Sequence, residues 1–251
     1  MPTETRSRVR TPLTPALDLP PPYRLVSLRE VGDAFAHATA IAAQQGAGTL
    51  VHVGRFDLVE FAVVLEPEEP LRTARRAVYA GLCALGDALA VHAPPEKAIT
   101  FDWPEAIRVD GGLVGGGRLA WPSGADEHEP PAWLVFGAAT RTVALSDDEA
   151  GLRPLSAALE DEGFDDLGSG RLVESFARHL MVAIDAWQEK GFGEVAKNYL
   201  ARLSLEQGAH RDIDENGDLM VRRAGKVERR PLVPALAVPS WLDPATGGPR
   251  R

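Results

Sequence analysis

The stretch FDWPEAIRVDGGLVGGGR, Phe101 to Arg118, carries the strongest structural signal in the chain. Its first part alternates apolar and polar residues, as a half-buried strand does, and is interrupted at Pro104. Asp110-Gly111 between two apolar runs is typical of a two-residue hairpin, because both central residues of that turn need positive φ. The three glycines that follow are a pattern kept where a ligand or another backbone comes close to a strand. The alternative interpretation is an ordinary core hairpin with a bulge.

The segments before this hairpin predict further strands. Tyr23 to Leu28, Gly48 to Val53 and Leu58 to Leu65 are rich in β-branched and aromatic residues. The second and third are joined by the short link Gly54-Arg55-Phe56-Asp57, and another strand is expected from Ala132 to Val143. A link of about four residues has the length of a hairpin connection.

Helical periodicity appears in four places. Val31 to Gln45 predicts a helix that ends at Gly46, and Leu71 to Ala90 predicts a second one behind Pro70. Two more are expected from Leu172 to Lys190 and from Val195 onward. The fold class is therefore predicted as α+β, a mixed and mainly antiparallel sheet packed with helices, plus a small C-terminal β module.

Composition and charge limit the classes of function. The chain has 251 residues, 45% of them hydrophobic, which is enough for one substantial core and a small appended domain. The net charge of −9 argues against binding to nucleic acid or to a membrane surface, because both need clustered positive charge. The single cysteine, Cys83, excludes an internal disulfide, and the histidines lack metal-ligand spacing. Without a long apolar run or a signal-peptide pattern, we expect a cytoplasmic protein.

Trp103-Pro104, the turn at Asp110-Gly111 and the glycine at position 115 or 116 together resemble the central motif of biotin and lipoate protein ligases. The family pattern is Lys-Trp-Pro-Asn-Asp, a short turn, then Lys, two small residues and Gly. The sequence from Trp187 to Arg202 is similar to the family's terminal helix pair, and the segment after Leu205 to its small barrel-like domain. This resemblance implies the same α+β fold.

The resemblance and the composition divide the chain into four parts. Residues 1–22 are rich in arginine and proline and are expected to form a disordered tail. Residues 23–205 are the biotin/lipoate ligase-like domain, 206–242 the small β-rich C-terminal module with a local basic cluster, and 243–251 a second tail. The cluster is suited to an acidic partner or, equally, to blocking strand pairing at an edge.

This chain departs from the family pattern at its charged positions. Asp102 stands at the first lysine, Glu105-Ala106 replace Asn-Asp, and Leu113 occupies the position of the second lysine. Only Gly54-Arg55 corresponds to the Gly-Arg-Gly-Arg loop that folds over the adenylate in biotin ligases. A fixed cation stabilises the approach of two anionic groups when ATP activates an acyl carboxylate. The resemblance therefore implies a divergent member that lacks the catalytic lysines.

Two functions follow from this resemblance, and whether the protein is an enzyme stays open. The first is a pseudoenzyme with a degenerate active site, which binds biotin, lipoate, an octanoyl-like chain or a biotinyl or lipoyl carrier domain without normal ligase turnover. The second is an active divergent ligase or acyltransferase, which would form an acyl adenylate with ATP and Mg²⁺ and modify a carrier-protein lysine. In the second case Arg55, Arg118 or a migrated Lys97 would meet the acyl carboxylate.

No catalytic residue and no metal ligand is assigned from the sequence. The candidate ligand-binding residues share a place in the motif or in the short link, and they are His52, Gly54, Arg55, Trp103, Leu113, Gly115, Gly116, Gly117 and Arg118.

Overall fold

Seven strands form one mixed sheet in the part of the chain that the computed structural model describes, residues 17–144, 155–165 and 167–250. Their order across the sheet is β1-β2-β3-β7-β6-β5-β4, with β1 and β2 parallel and the other neighbours antiparallel. The α+β prediction is confirmed. The strands are β1 Arg24–Leu28, β2 Thr49–Val53, β3 Leu58–Leu65, β4 Ile99–Asp102, β5 Ala106–Val109, β6 Gly112–Ala120 and β7 Leu134–Arg141.

The motif hairpin forms as expected. Asp110 and Gly111 have φ values of 48° and 85°, which is the conformation that the turn requires. Ile107 pairs with Gly115 while the next residue of β5 pairs with Leu113, so Val114 is the extra residue of a β-bulge. The interruption between β4 and β5 contains a cis peptide bond before Pro104.

Six helices lie in the described residues: α1 Ala34–Gln45, α2 Leu71–Ala74, α3 Ala77–His92, α4 Ser169–Lys190, α5 Phe192–Arg202 and α6 Leu232–Ala237. The single helix expected from Leu71 to Ala90 is wrong. The N–H groups of Val78 and Tyr79 donate three residues back, to Arg75 and Arg76, and this tighter turn separates α2 from α3.

Helix α1 starts three residues later than the sequence predicts. Asp33 is the reason, because its side chain accepts the Ala36 N–H at 2.8 Å and caps the first turn. None of the described helices is long and apolar enough to cross a membrane.

The two faces of the sheet are covered differently. Helices α3, α4 and α5 pack on one side, which we call the inner face, and bury Leu50, Phe61 and Phe136. Helix α1 covers β2, β3 and β7 on the other side, the outer face, where Val51 and Val53 point. Side chains alternate between faces along each strand, so the position of every motif residue follows from its register.

A three-stranded sheet, β8 His210–Ile213, β9 Leu219–Arg223 and β10 Lys226–Arg230, forms the predicted small β module. After α6 the chain returns to the main sheet. Residues 243–250, which the sequence suggests as a tail, fold back so that Arg250 N–H donates to the Trp241 carbonyl at 2.7 Å. We call residues 239–250 the C-terminal segment.

Candidate functional site

Two of the three motif glycines are needed for packing inside the sheet. A Cβ atom added at Gly115 would lie 2.0 Å from the carbonyl oxygen of Ala139 on the neighbouring strand. At Gly117 it would lie 2.9 Å from the ring of Phe136 on the inner face. Both distances are shorter than normal contacts, so these positions exclude any side chain for reasons of backbone and core geometry.

Gly116 makes room for a residue far away in sequence. A Cβ there would lie 2.4 Å from Trp241 Cδ1 and 2.5 Å from the Glu105 carbonyl oxygen. Trp241 is fully buried, and its indole Nε1 donates to the Gly117 carbonyl at 3.0 Å. The glycine strand therefore has a close partner on the outer face, and this partner belongs to the C-terminal segment.

The indole of Trp241 fills an apolar depression above the sheet. Its neighbours come from four strands of the sheet, and they are Leu58, Ala106, Leu113 and Ala139. Leu113, which stands where the family motif has its second lysine, is only 9% exposed in this cluster. A charged side chain at that position would be desolvated unless the C-terminal segment moved.

Glu105, a motif residue, is hydrogen-bonded to the C-terminal segment. Its Oε1 accepts the Ser240 N–H at 2.6 Å and the Ser240 hydroxyl at 3.0 Å. The side chain is buried, and Oε2 has no hydrogen-bond partner among the described residues. Burial raises the pKa of Glu105 above the usual range of a carboxyl group.

Arg118 lies on the outer face at the edge of α1. Its guanidinium group is 4.3 Å from the ring centroid of Phe35, and Nη2 is 3.6 Å from an oxygen of Asp33. Burial lowers the pKa of Arg118, although the negative charges of Asp33 and Glu60 act in the opposite direction. Its Nε is buried and makes no hydrogen bond within the described part of the chain.

Arg55 is held by the residue at the end of its own link. Nε and Nη2 donate to the two oxygens of Asp57 at 3.0 and 2.7 Å, a bidentate pair that lowers the pKa of Asp57. Both residues line a cavity of about 120 Å³, which Arg141 and Pro249 border on the other side. Arg55 and Arg118 both lie close enough to Glu60 for their charges to lower its pKa, against a larger rise from burial.

The charged residues at the start of the motif are also paired. Lys97 donates to Asp110 at 3.0 Å and to Glu162 at 2.8 Å, and these bonds raise its pKa. Asp102 accepts from Arg108 Nε at 2.5 Å and from a serine hydroxyl at 2.7 Å. Lys97 is therefore at the hairpin turn, away from the glycines, and Asp102 does not act as an isolated negative charge.

His52 and Trp103 belong to the inner layer. His52 shares its face of β2 with Leu50, its Nε2 finds no partner in the described residues, and burial lowers its pKa. Trp103 Nε1 donates to the Tyr79 hydroxyl at 3.0 Å, which in turn donates to the Gly217 carbonyl at 2.6 Å. The sheet thus separates these two from Arg55, Leu113, Gly116 and Arg118.

A larger cavity, about 990 Å³, lies on the inner side between β3, α3 and α4. Arg76 lines this cavity. Its guanidinium group pairs with Glu69 and stacks on the rings of Trp187 and Phe192. None of the nine candidate residues from the sequence lines it. No group of three or more potential metal-ligating side chains occurs in the described ranges.

Comparison with known proteins assigns the family. Residues 19–201 match the model of the biotin/lipoate A/B protein ligase family. The chain belongs to this family. The part matched is most of the chain and includes the whole seven-stranded sheet, α1 to α4 and all but the last residue of α5.

Solved structures agree with this assignment. A biotin protein ligase-like protein of unknown function from Silicibacter is 28% identical, with a TM-score of 0.75 over 86% of this chain and 97% of that one. The biotin protein ligase of Aquifex aeolicus is 13% identical, with a TM-score of 0.64 over 83% and 95% of the two chains. The Leishmania major biotin protein ligase in complex with biotinyl-5-AMP is 17% identical, with a TM-score of 0.53 over 84% and 98%. A search of curated proteins found no match.

The link between β2 and β3 uses several of its donors within the protein. A phosphate cradle needs several backbone N–H groups that point outward. In this ligase-family chain, the Gly54 N–H donates to the Leu28 carbonyl at 3.4 Å and the Arg55 N–H to the Val53 carbonyl at 3.0 Å. The Arg55 side chain is held by Asp57, so these two N–H groups and the guanidinium group are all engaged within the protein.

Sequence reasoning missed Trp241 and the role of Glu105. One local signal was available, because Trp241-Leu242 is an apolar pair between prolines at 239 and 244. An apolar pair close to a terminus suggests burial, but sequence order cannot tell which strand it covers.

Proposed function

We propose that this member of the biotin/lipoate A/B protein ligase family binds a small acyl ligand, or a carrier domain that bears one, without normal ligase turnover. The acyl group would be biotin, lipoate or an octanoyl-like chain. The observation that carries the proposal is the neutralisation of the cations beside the motif. Arg55 pairs with Asp57, Arg118 lies beside Asp33, and Lys97 is shared by two carboxylates.

Charge is decisive for the activation step. Two anionic groups must meet when ATP activates a carboxylate, and the loss of one fixed donor typically costs about 3–4 kcal/mol of transition-state stabilisation. Leu113 supplies no charge at the position of the family's second lysine, and Asp102 is neutralised by Arg108 without contributing a cation. These features support the loss of turnover.

An active divergent ligase is the second candidate, and one observation favours it. The buried Nε of Arg118 has an unused donor in the described structure, one residue from the glycine run. In this alternative, Arg118 would turn from Asp33 toward an acyl carboxylate or its adenylate. The same residue would then replace the missing lysine.

Adenylation is tested by pyrophosphate release with ATP, Mg²⁺ and biotin, lipoate or octanoate, together with labelled transfer to a carrier domain. We expect no turnover above background. A rate at or above about 0.1 per second, some tenfold below the ordinary range of enzymes, contradicts the proposal. If turnover is found, Arg118→Gln should abolish it, whereas Arg178→Gln, at an exposed pair with Asp18, should leave it unchanged.

Binding is tested separately by thermal shift with the same acids and their adenylates. A ligand at 100 times its dissociation constant stabilises the folded state by about 2.7 kcal/mol, which raises the midpoint by several degrees. At least one compound should do so. If none binds even at millimolar concentration, the acyl-binding proposal fails.

A further inference from the structure

We propose that the C-terminal segment, residues 239–250, is an internal occupant of the acyl site, and that it must leave before a ligand reaches the glycine strand. This inference rests on the proposed function for the identity of the ligand. The position of the segment in the structure does not depend on the proposed function. Trp241 stands on Gly116, where a ligand lying against the motif glycines would have to be.

The fit of Trp241 resembles that of a bound ligand in a pocket. The indole is enclosed by apolar side chains from β3, β5, β6 and β7, and one polar atom, Nε1, meets the Gly117 carbonyl. Small-molecule sites have the same composition, a mostly apolar wall with a few placed polar groups. The glycine at position 116 is what makes the depression deep enough for the ring.

The segment is attached in a way that permits release. Between α6 and Trp241, Val238 is 74% exposed and lies outside any helix or strand, so it can serve as a pivot. The other attachments are the packing of Leu242 against the same apolar cluster and hydrogen bonds to Glu105, Arg141 and Ser156. When the segment leaves, water can replace these hydrogen bonds.

The vacated site indicates the class of ligand. Removing the indole uncovers an apolar depression lined by Leu58, Ala106, Leu113 and Ala139. The ligand therefore has an apolar body of about the size of indole. Its carboxylate follows from the proposed function.

The first test uses indole as a probe and does not depend on the acyl ligand. Trp241→Gly should leave a cavity shaped like the lost ring, and indole at millimolar concentration should raise its melting midpoint by several degrees, with no effect on the wild type. Trp241→Phe is the matched control that keeps the site filled and should not respond. The proposal is overturned if Trp241→Gly folds and its melting midpoint does not rise with indole.

The second test measures competition. Trp241→Ala should bind octanoate, lipoate or biotin at least tenfold more tightly than the wild type, because the ligand no longer has to displace the ring. If no acid binds to either protein, the acyl function fails and this inference fails with it, whereas equal affinities overturn the inference alone.

A third variant covers the case in which the tryptophan variants do not fold. Glu105→Ala removes the acceptor of both Ser240 bonds but keeps the indole. Amide hydrogens of residues 240–250 should then exchange at least tenfold faster, while those of α1 keep their wild-type rates. Unchanged exchange in the segment would mean that it is a fixed part of the fold.

Discussion

The outer face of the sheet has two covers, and they are built differently. Helix α1 comes just before β2 and β3, two of the strands that it covers, and presents Ala34, Ala38 and Ala42 at helical spacing. The C-terminal segment comes from the other end of the chain and contributes one large side chain, Trp241, with polar bonds around it. The first cover is a continuous apolar stripe, whereas the second depends on a single fitted ring. A cover of the second kind can be removed without unfolding the first.

The largest change in stability is expected at Gly116, against which the Trp241 indole packs. Gly116→Ala places a methyl group within about 2.5 Å of Trp241 and of a backbone oxygen, so the free energy of unfolding should fall by about 1–3 kcal/mol. Urea denaturation measures it. Gly193→Ala is the control, because nothing lies within 4 Å of that helical position and no loss is expected. An equal loss in both variants would remove the special role of Gly116.

Glu105 tests the polar attachment. Glu105→Ala leaves the Ser240 N–H without its acceptor and should lower stability by about 1–3 kcal/mol. Glu105→Gln keeps an acceptor and removes a buried charge whose pKa is already raised by burial, so it should be neutral or stabilising at pH 7. Denaturation of both variants at pH 7 compares them. A Gln variant as unstable as the Ala variant would show that the charge itself is needed.

Asp33 tests the other cover. Asp33→Ala removes the N-terminal cap of α1 and should reduce stability by about 1 kcal/mol, with faster exchange of the first α1 amides. Asp33→Asn keeps the cap and should cost much less. Exchange in residues 239–250 should not change in either variant. If it rises together with that of α1, the two covers are coupled and the contrast between them fails.

The smallest effect concerns pH. Burial lowers the pKa of His52, so below the unfolded value of about 6.5 the unfolded chain binds the proton more readily than the folded one. Stability should therefore fall as the pH drops from 7 to 5, and His52→Leu should weaken this dependence. His92→Gln is the comparison, since that histidine is also shifted downward but lies nearer the surface. An identical pH slope in wild type and His52→Leu contradicts the assignment.

Local chemistry made much of the fold predictable. The Asp110-Gly111 turn needs two positive φ angles that few other dipeptides provide, and the period of the apolar residues separated strands from helices. The break between α2 and α3 was not predictable, because the apolar spacing runs on through it. Arg75 and Arg76, which turn toward Glu127 and Glu69, mark that break only once the chain is folded.

The sequence by itself determined the strands, the hairpin, the family motif and the absence of lysine at its centre, because these depend on residue type and short-range spacing. Only the tertiary structure decided the environment of the motif. The pairing of Arg118 with Asp33, and of Lys97 with Asp110 and Glu162, joins residues that lie far apart in sequence. The packing of Trp241 against Gly116 joins positions that are 125 residues apart in sequence, and no local pattern encodes such a long-range contact.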